Sequence, residues 1–564
     1  MGIKRSNTLI ACMLAASMLL AACSSSKAGG GEAKPESGGK PAEPAKTEQN
    51  GALAKYNPPI TLHIARSSSQ NWKYPKGDDL NNNIWTRAYE EKLGIKLALD
   101  WTAEDGSTYD QKMNVSIASG NLPDLFTVNA TQLKQLADAG QLADLTEVYN
   151  KYASPLTKQN MNSDGGLGLK SATFGGKLLA IPSINANIYS PSLLWIRTDW
   201  LKKLNLPEPK TMQDVYAISE AFTNKDPDGD GKKDTIGLGL SKTLLNAGVG
   251  ELNGFANAFH AYPTLWIKGS DGKITYGSIQ PQMKAALAKL QDMYKSGQID
   301  TEFGVKDTAK LGEDIASNKL GMLFGANWLP YLPLIDAVKK NPGMDWKAYA
   351  IPSVDNEPAK AGVAFPTYAY VVVRKGYEHP EAAVSMLNLY QDTRFKTPVQ
   401  AVNPFETVEE NGNRIETVKY AVVQSALGND VVVKALKLLR EALQKDDKSV
   451  LKDALKETDK FDPVRAFQKN GDMAYWSQGR QFNAYEVLLD NYTGDKLLTT
   501  EFGGRTQTMG EKWEALDKLE KETFTKIIMG TSSVDEFDNF VATWKKLGGD
   551  TIIKEVNDWL ASQN

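Results

Sequence analysis

The sequence predicts an α/β protein folded as two lobes. From Ile60 onward, apolar residues switch repeatedly between the two-residue period of strands and the 3.6-residue period of helices, the pattern of sheets flanked by helices. The stretch that carries this pattern, about 505 residues, is also longer than one hydrophobic core serves.

Each element has a local reason. Ile60–Ala65 alternates after two prolines and reads as a first strand. Asn83–Leu93 reads as a helix stopped by Gly94, and Ile95–Asp100 as a second strand. Tyr109, Met113 and Ile117 recur every four residues before Gly120, which makes a helix, and Leu125–Val128 is a third strand. Strands in this order imply a mixed, mostly parallel sheet. Lys177–Pro182 and Leu193–Arg197 are strands flanking a crossing between lobes, with a helix at Trp200–Leu204. Thr211 and Asp214 open a helix that runs to about Phe222. Pro281 opens another, with Met283, Leu287, Leu290 and Tyr294 on one face before Gly297. Ala361–Val373 reads as one long strand and Pro380–Tyr390 as a helix. Ser533 and Glu536 read as a capping box before a stripe of Phe537, Phe540, Val541, Trp544 and Leu547. No internal repeat is visible.

The first residues carry Lys4 and Arg5, an apolar run from Thr8 to Leu20, and then Leu20-Ala21-Ala22-Cys23. The run is too short to span a bilayer and has the form of an export signal, expected over residues 1–22. Its last four residues resemble the bacterial lipoprotein pattern, which implies a lipid on Cys23. The other cysteine, Cys12, lies within that signal, so the processed chain would have no thiol for zinc, disulfides or nucleophilic catalysis. Residues 23–57 are rich in Gly, Ser, Pro, Ala, Lys and Glu and read as a flexible tether. The formal charge of −3, or −5 without Lys4 and Arg5, argues against a nucleic-acid partner.

Asp226-Pro227-Asp228-Gly229-Asp230-Gly231-Lys232-Lys233-Asp234 sets hard oxygen ligands at every second position. In a calcium loop, side chains at positions 1, 3 and 5 and the carbonyl at 7 converge on the ion, with Gly at 6 for the turn. Here those places fall to Asp226, Asp228, Asp230, the Lys232 carbonyl and Gly231. Position 12, a bidentate Glu in an EF-hand, is Gly237, which leaves Asp234 at position 9 as the remaining carboxylate. A structural Ca2+ is expected rather than a catalytic one; the competing reading is a solvated Asp/Gly turn.

Signatures of catalysis are missing. There is no Gly-x-Ser-x-Gly elbow, His-Glu-x-x-His or phosphate loop, and His63, His260 and His379 lack ligand-like spacing. A carboxylate pair for glycoside hydrolysis leaves no mark in sequence, because its diagnostic quantity is a separation in space. Aromatic residues in polar loops say more, since sugar rings stack on aromatic faces while their hydroxyls seek polar rims. Candidate ligand residues are Trp72 and Tyr74 from the first lobe, meeting Asn327 and Trp328 from the second. Tyr368 and Tyr370 on the crossing strand and Tyr475 and Trp476 before Ser477 complete the set, with Tyr368 and Trp476 expected at or near the floor. Trp200, Trp513 and Trp544 lie on amphipathic stripes and are expected in the core.

Ala118-Ser119-Gly120-Asn121-Leu122-Pro123-Asp124-Leu125, Phe174-Gly175-Gly176-Lys177-Leu178-Leu179-Ala180-Ile181-Pro182, Arg197-Thr198-Asp199-Trp200-Leu201-Lys202-Lys203-Leu204 and the acidic loop occur in an order that resembles the family 1 extracellular solute-binding proteins of bacterial ABC importers. Size and lipobox are similar to the large LipO/LplA-type lipoproteins of Gram-positive bacteria, and the loop to that of alginate-oligosaccharide binders. Where such loops often carry an acidic residue after the last Asp, this chain has Thr235. The resemblance implies a two-lobed periplasmic-binding-protein-like fold of class II type, with mixed sheets, flanking helices and a hinge. It places the first lobe at 58–185, completed by about 362–410, and the second, with the calcium loop, at 186–361, completed by about 411–564. It further implies a lipid-anchored, non-enzymatic monomer on the outer face of the membrane, delivering an oligosaccharide to two permease subunits and their ATPase. A surface polysaccharide-degrading enzyme, or a peptide or signalling-ligand receptor on the same fold, are the alternatives.

Overall fold

The computed structural model describes residues 51–69, 72–395, 403–411, 413–454 and 457–562. The expected signal, Cys23 and the tether up to residue 50 lie outside them. Two sheets organise the chain. The first uses β1 (Ile60–Ser67), β2 (Ile95–Ala103), β3 (Leu125–Val128), β4 (Ile181–Ile184) and β9 (Thr367–Val373), in the order β2-β1-β3-β9-β4. The second uses β5 (Leu193–Arg197), β6 (Ile236–Gly239), β7 (Leu320–Gly325) and β8 (Trp346–Tyr349), in the order β8-β5-β7-β6.

In the first sheet β1 runs parallel to β2 and β3, while β9 is antiparallel to β3 and β4. The second has one parallel pair, β6 with β7, and two antiparallel pairs. The mixed character was legible, but the second sheet is not mostly parallel: β5 enters straight from the crossing segment and meets both its neighbours head to tail. Helices cover the sheets because their apolar stripes find them; Met212, Val215, Ile218 and Phe222 of the helix Met212–Asn224 are all buried in the second lobe's core. Thr211 and Asp214 form the expected reciprocal cap of that helix.

Three elements differ from the sequence reading. Residues 361–373 are two strands, not one: Ala361–Val363 pairs with Leu497–Thr499, and the chain turns at Pro366 before β9 begins. Lys177–Leu178 closes a short hairpin on Thr173–Phe174, and β4 starts only at Ile181. The Ser533–Glu536 box does not form. The helix Glu536–Trp544 has Asp535 at its start with no side-chain cap, and a kink at Gly548 carries Leu547 out to 48% exposure.

Candidate functional site

The chain passes between the two sheets through residues 185–192, 364–366 and 424–428, and these segments are tied side by side. The Asn185 N–H donates to the Pro366 carbonyl at 2.8 Å and the Ala426 N–H to the Ile184 carbonyl at 3.0 Å. Ser183 Oγ donates to the Gln424 carbonyl at 2.8 Å. Three cavities flank this bridge.

The first, about 430 Å³, lies over the first sheet at the carboxyl ends of β1 and β3, the side on which parallel strands gather ligands. Arg66, Trp72, Tyr368, Asn129, Asp110 and Gln424 are in its wall. The helix Gly106–Ser119 aims its amino end here, capped by Asp105, and the Tyr109 hydroxyl fixes it by donating to the Thr127 carbonyl at 3.0 Å. The second cavity, about 510 Å³, belongs to the second lobe and is walled by Trp266, Trp328, Phe365 and Trp513 among Asn246, Asn253 and Thr264. These polar groups are linked: Asn253 Nδ2 donates to Asn246 Oδ1 at 2.9 Å and Asn246 Nδ2 to Thr264 Oγ1 at 3.1 Å. The third, about 700 Å³, spans both lobes, from Lys134, Phe174 and Tyr370 to Phe502, Arg505 and Trp559.

The residues expected to bind ligand separate accordingly. Trp72 and Tyr368 share the first cavity, Trp328 lines the second at 42% exposure, and Tyr370 lines the third with its hydroxyl donating to Ser171 Oγ at 2.9 Å. Tyr74 stacks on Tyr420 at 4.7 Å and lines none of the three. Asn327 is buried, its amide donating to the Tyr189 carbonyl at 2.8 Å. Tyr475 precedes the helix Trp476–Asn491, outside the cavities. Trp476 is 1% exposed and packed in the core, its indole N–H donating to Asp345 Oδ1 at 2.9 Å, so it presents no face to a ligand.

Trp513 moves the other way. Trp200 and Trp544 are core as expected, but Trp513 stands at the cavity wall, edge-on to Tyr276 at 5.4 Å. Trp266, Phe365, Arg66 and Arg505 also line the cavities and escaped the sequence reading. Only Arg66 carried a usable signal, its place at the carboxyl end of the first strand.

The acidic loop lies between the helix Met212–Asn224 and β6, and none of its residues lines the three cavities. Carboxylate oxygens of Asp226, Asp228 and Asp230 lie within 4.8 Å of one another. Gly229 and Gly231 both have φ of +81°, the left-handed backbone that lets the loop fold over these groups. Asp226 accepts the N–H groups of Gly229 and Gly231, and Lys203 Nζ pins the loop by donating to the Pro227 carbonyl at 2.7 Å. Asp228 Oδ1 is buried with no hydrogen-bond partner, and burial together with Asp226 pushes its pKa up. An orphaned buried carboxylate oxygen amid two others fits a hard cation. Asp234 stands outside this group of three and pairs with Lys319 at 2.9 Å.

The chain is 26% identical over 282 residues to the polygalacturonan/rhamnogalacturonan-binding protein YtcQ of Bacillus subtilis, covering 50% of this chain and 53% of that protein, about half its length. It is 24% identical over 485 residues to lipoprotein LipO of the same organism, covering 84% of this chain and 87% of LipO. Its fold matches that of an EF-hand mutant of the ABC-transporter substrate-binding protein FusA of Streptococcus pneumoniae, in complex with fructo-nystose, with a TM-score of 0.57 at 18% identity over 90% of this chain and 100% of FusA. Residues 69–394 match the sequence profile described as bacterial extracellular solute-binding protein. With more than half of its length so matched and two lobes enclosing a cleft, the chain belongs to the bacterial extracellular solute-binding protein family.

Proposed function

We propose that this protein captures an oligosaccharide between its lobes and hands it to an ABC importer of two permease subunits and an ATPase. The observation that carries this reading is the cleft wall: Trp72, Tyr368, Trp328 and Trp513 offer flat apolar faces beside linked Asn and Thr groups. The ligands named for YtcQ and FusA support it. The three crossing segments serve as the hinge, and closure is selected by contacts made only when both lobes engage the ligand. The protein acts as a monomer and a non-enzymatic receptor, tethered by a lipid on Cys23 at the outer face of the membrane. No helix among the described residues is long and apolar enough to cross one.

Asp226, Asp228 and Asp230, with the Lys232 carbonyl, would hold a structural Ca2+ whose charge relieves their mutual repulsion. Asp234 holds Lys319 through Oδ2 and would join them through Oδ1, which is buried with no hydrogen-bond partner. The direct test is calorimetry of purified protein against oligosaccharides and peptides, with a parallel assay for new reducing ends. Saturable glycan binding without cleavage is expected; peptide binding alone, or released reducing ends, would replace the reading with a peptide receptor or a degrading enzyme.

A further inference from the structure

Two arginines face the cleft with no carboxylate to hold, and each lies against a tryptophan. Arg66, at the end of β1, is 9% exposed and lines the first-lobe cavity, its guanidinium carbon 5.8 Å from the centroid of Trp72. Its Nη1 and Nη2 donate to the carbonyls of Tyr420 and Lys419 at 2.9 and 3.3 Å, and its Nε has no acceptor. Asp110, in the same cavity wall, is not within ion-pair distance. Arg505 lines both the second and the third cavity, its guanidinium carbon 5.5 Å from the centroid of Trp513. It makes no hydrogen bond or ion pair among the described residues. Nearby Asp517 already holds Lys521 at 2.7 Å.

The contrast with the rest of the molecule is sharp. All seven other arginines with described side chains have a carboxylate within 4.0 Å. Guanidinium stays charged at any ordinary pH, and enclosing that charge without an anion costs stability. Burial pulls the pKa of both groups down; the titratable neighbours of Arg66 are tyrosines, neutral at ordinary pH, while Asp517 and Glu514 act on Arg505 only from beyond ion-pair distance. The planar fork matches a carboxylate in two parallel hydrogen bonds, and the adjoining indole supplies the platform for the ring that bears it.

Resting on the oligosaccharide reading, we propose that Arg66 and Arg505 receive carboxylates of an acidic, uronate-bearing oligosaccharide, one from each lobe. They are then the residues that separate acidic from neutral glycans.

The probes are galacturonate, glucuronate and mannuronate/guluronate oligomers, each beside its carboxyl-reduced neutral counterpart, and a sulfated neutral oligosaccharide, all by calorimetry at one salt concentration. At least one uronate oligomer is expected to bind about tenfold or more tighter than its reduced form. Arg66→Gln and Arg505→Gln should each weaken that oligomer about 10- to 100-fold while changing affinity for the reduced form less than about threefold. Arg66→Lys, which keeps the charge, should retain part of the preference, and melting curves establish that each variant is folded. The comparison on the unmodified protein stands even if Arg66→Gln fails to fold. Neutral forms binding as tightly as acidic ones would overturn the proposal, as would equal weakening of both by Arg505→Gln or a sulfated ligand preferred to every uronate. If no glycan binds at all, it is the oligosaccharide reading that fails.

Discussion

The Tyr276 hydroxyl donates a 3.0 Å hydrogen bond to Oε2 of Glu520, and both side chains are buried beneath the second-lobe cavity. Tyr276 also stacks on Trp544 with ring centroids 5.1 Å apart and planes at 7°. Burial pushes the Glu520 carboxyl from 4.5 up to about 7. An acid raised on folding favours the folded state while neutral, so its contribution is complete below about pH 4.5 and is lost as pH climbs towards 7. Glu520→Gln keeps an acceptor for Tyr276 and removes the ionisation. Denaturant melts should therefore show the parent losing up to a few kcal/mol between pH 5 and 8 relative to the variant. Parallel stability curves for the two proteins would contradict this.

Calcium makes a separate prediction, because the acidic loop lines none of the cavities. With free Ca2+ at about 100 times its Kd, the ion stabilises by about 2.7 kcal/mol, and a chelator should lower Tm accordingly. Asp228→Ala removes the orphaned carboxylate oxygen and should abolish the response to chelator while leaving glycan affinity unchanged. A parent protein that melts at one temperature with and without chelator would mean a bare turn.

Trp328 and Trp476 are predicted to fail in different assays. Trp328→Ala takes an exposed face from the cleft and should weaken glycan binding by about 2 kcal/mol, roughly 30-fold, with little change in Tm. Trp476→Ala empties a core position and deprives Asp345 of one donor, and should cost about 3 to 5 kcal/mol of stability with affinity near the parent's in the folded fraction. Titration calorimetry and melting curves on both variants separate the two roles; the reverse assignment would show that the cleft lies elsewhere.

These tryptophans also show where sequence reading reaches its limit. Thr211 with Asp214 was legible because a cap is built from residues three apart. Trp476 was misplaced because its polar neighbours suggested a loop, whereas its fate is set by Asp345, 131 residues away. Trp513 sits on an amphipathic helix as expected, but at the edge of the stripe, where the facing surface is a cavity. Arg66 and Arg505 are distinguished by a carboxylate that is missing in space, which no local pattern encodes. The two lobes and the acidic loop were readable because periodicity, length and every-second-residue spacing are properties of the chain itself.

Gly248 provides the last prediction, through Trp328. Its φ is +70°, and a Cβ there would stand 2.7 Å from Cζ2 of the Trp328 ring and 3.5 Å from Cη2. The glycine is also held from both sides: its N–H donates to Glu251 Oε2 at 2.7 Å, and its carbonyl accepts from the Ala326 N–H at 2.9 Å. The backbone therefore has no easy way to retreat, and Gly248→Ala should swing the indole away from the cleft. Left-handed alanine adds about 1 kcal/mol of strain, a modest loss of stability. Glycan affinity should fall nearly as far as in Trp328→Ala, and the double variant Gly248→Ala/Trp328→Ala should bind no more weakly than Trp328→Ala alone, because both changes remove the same platform. If the two losses add instead, Gly248 acts on the ligand through its own backbone rather than by seating Trp328.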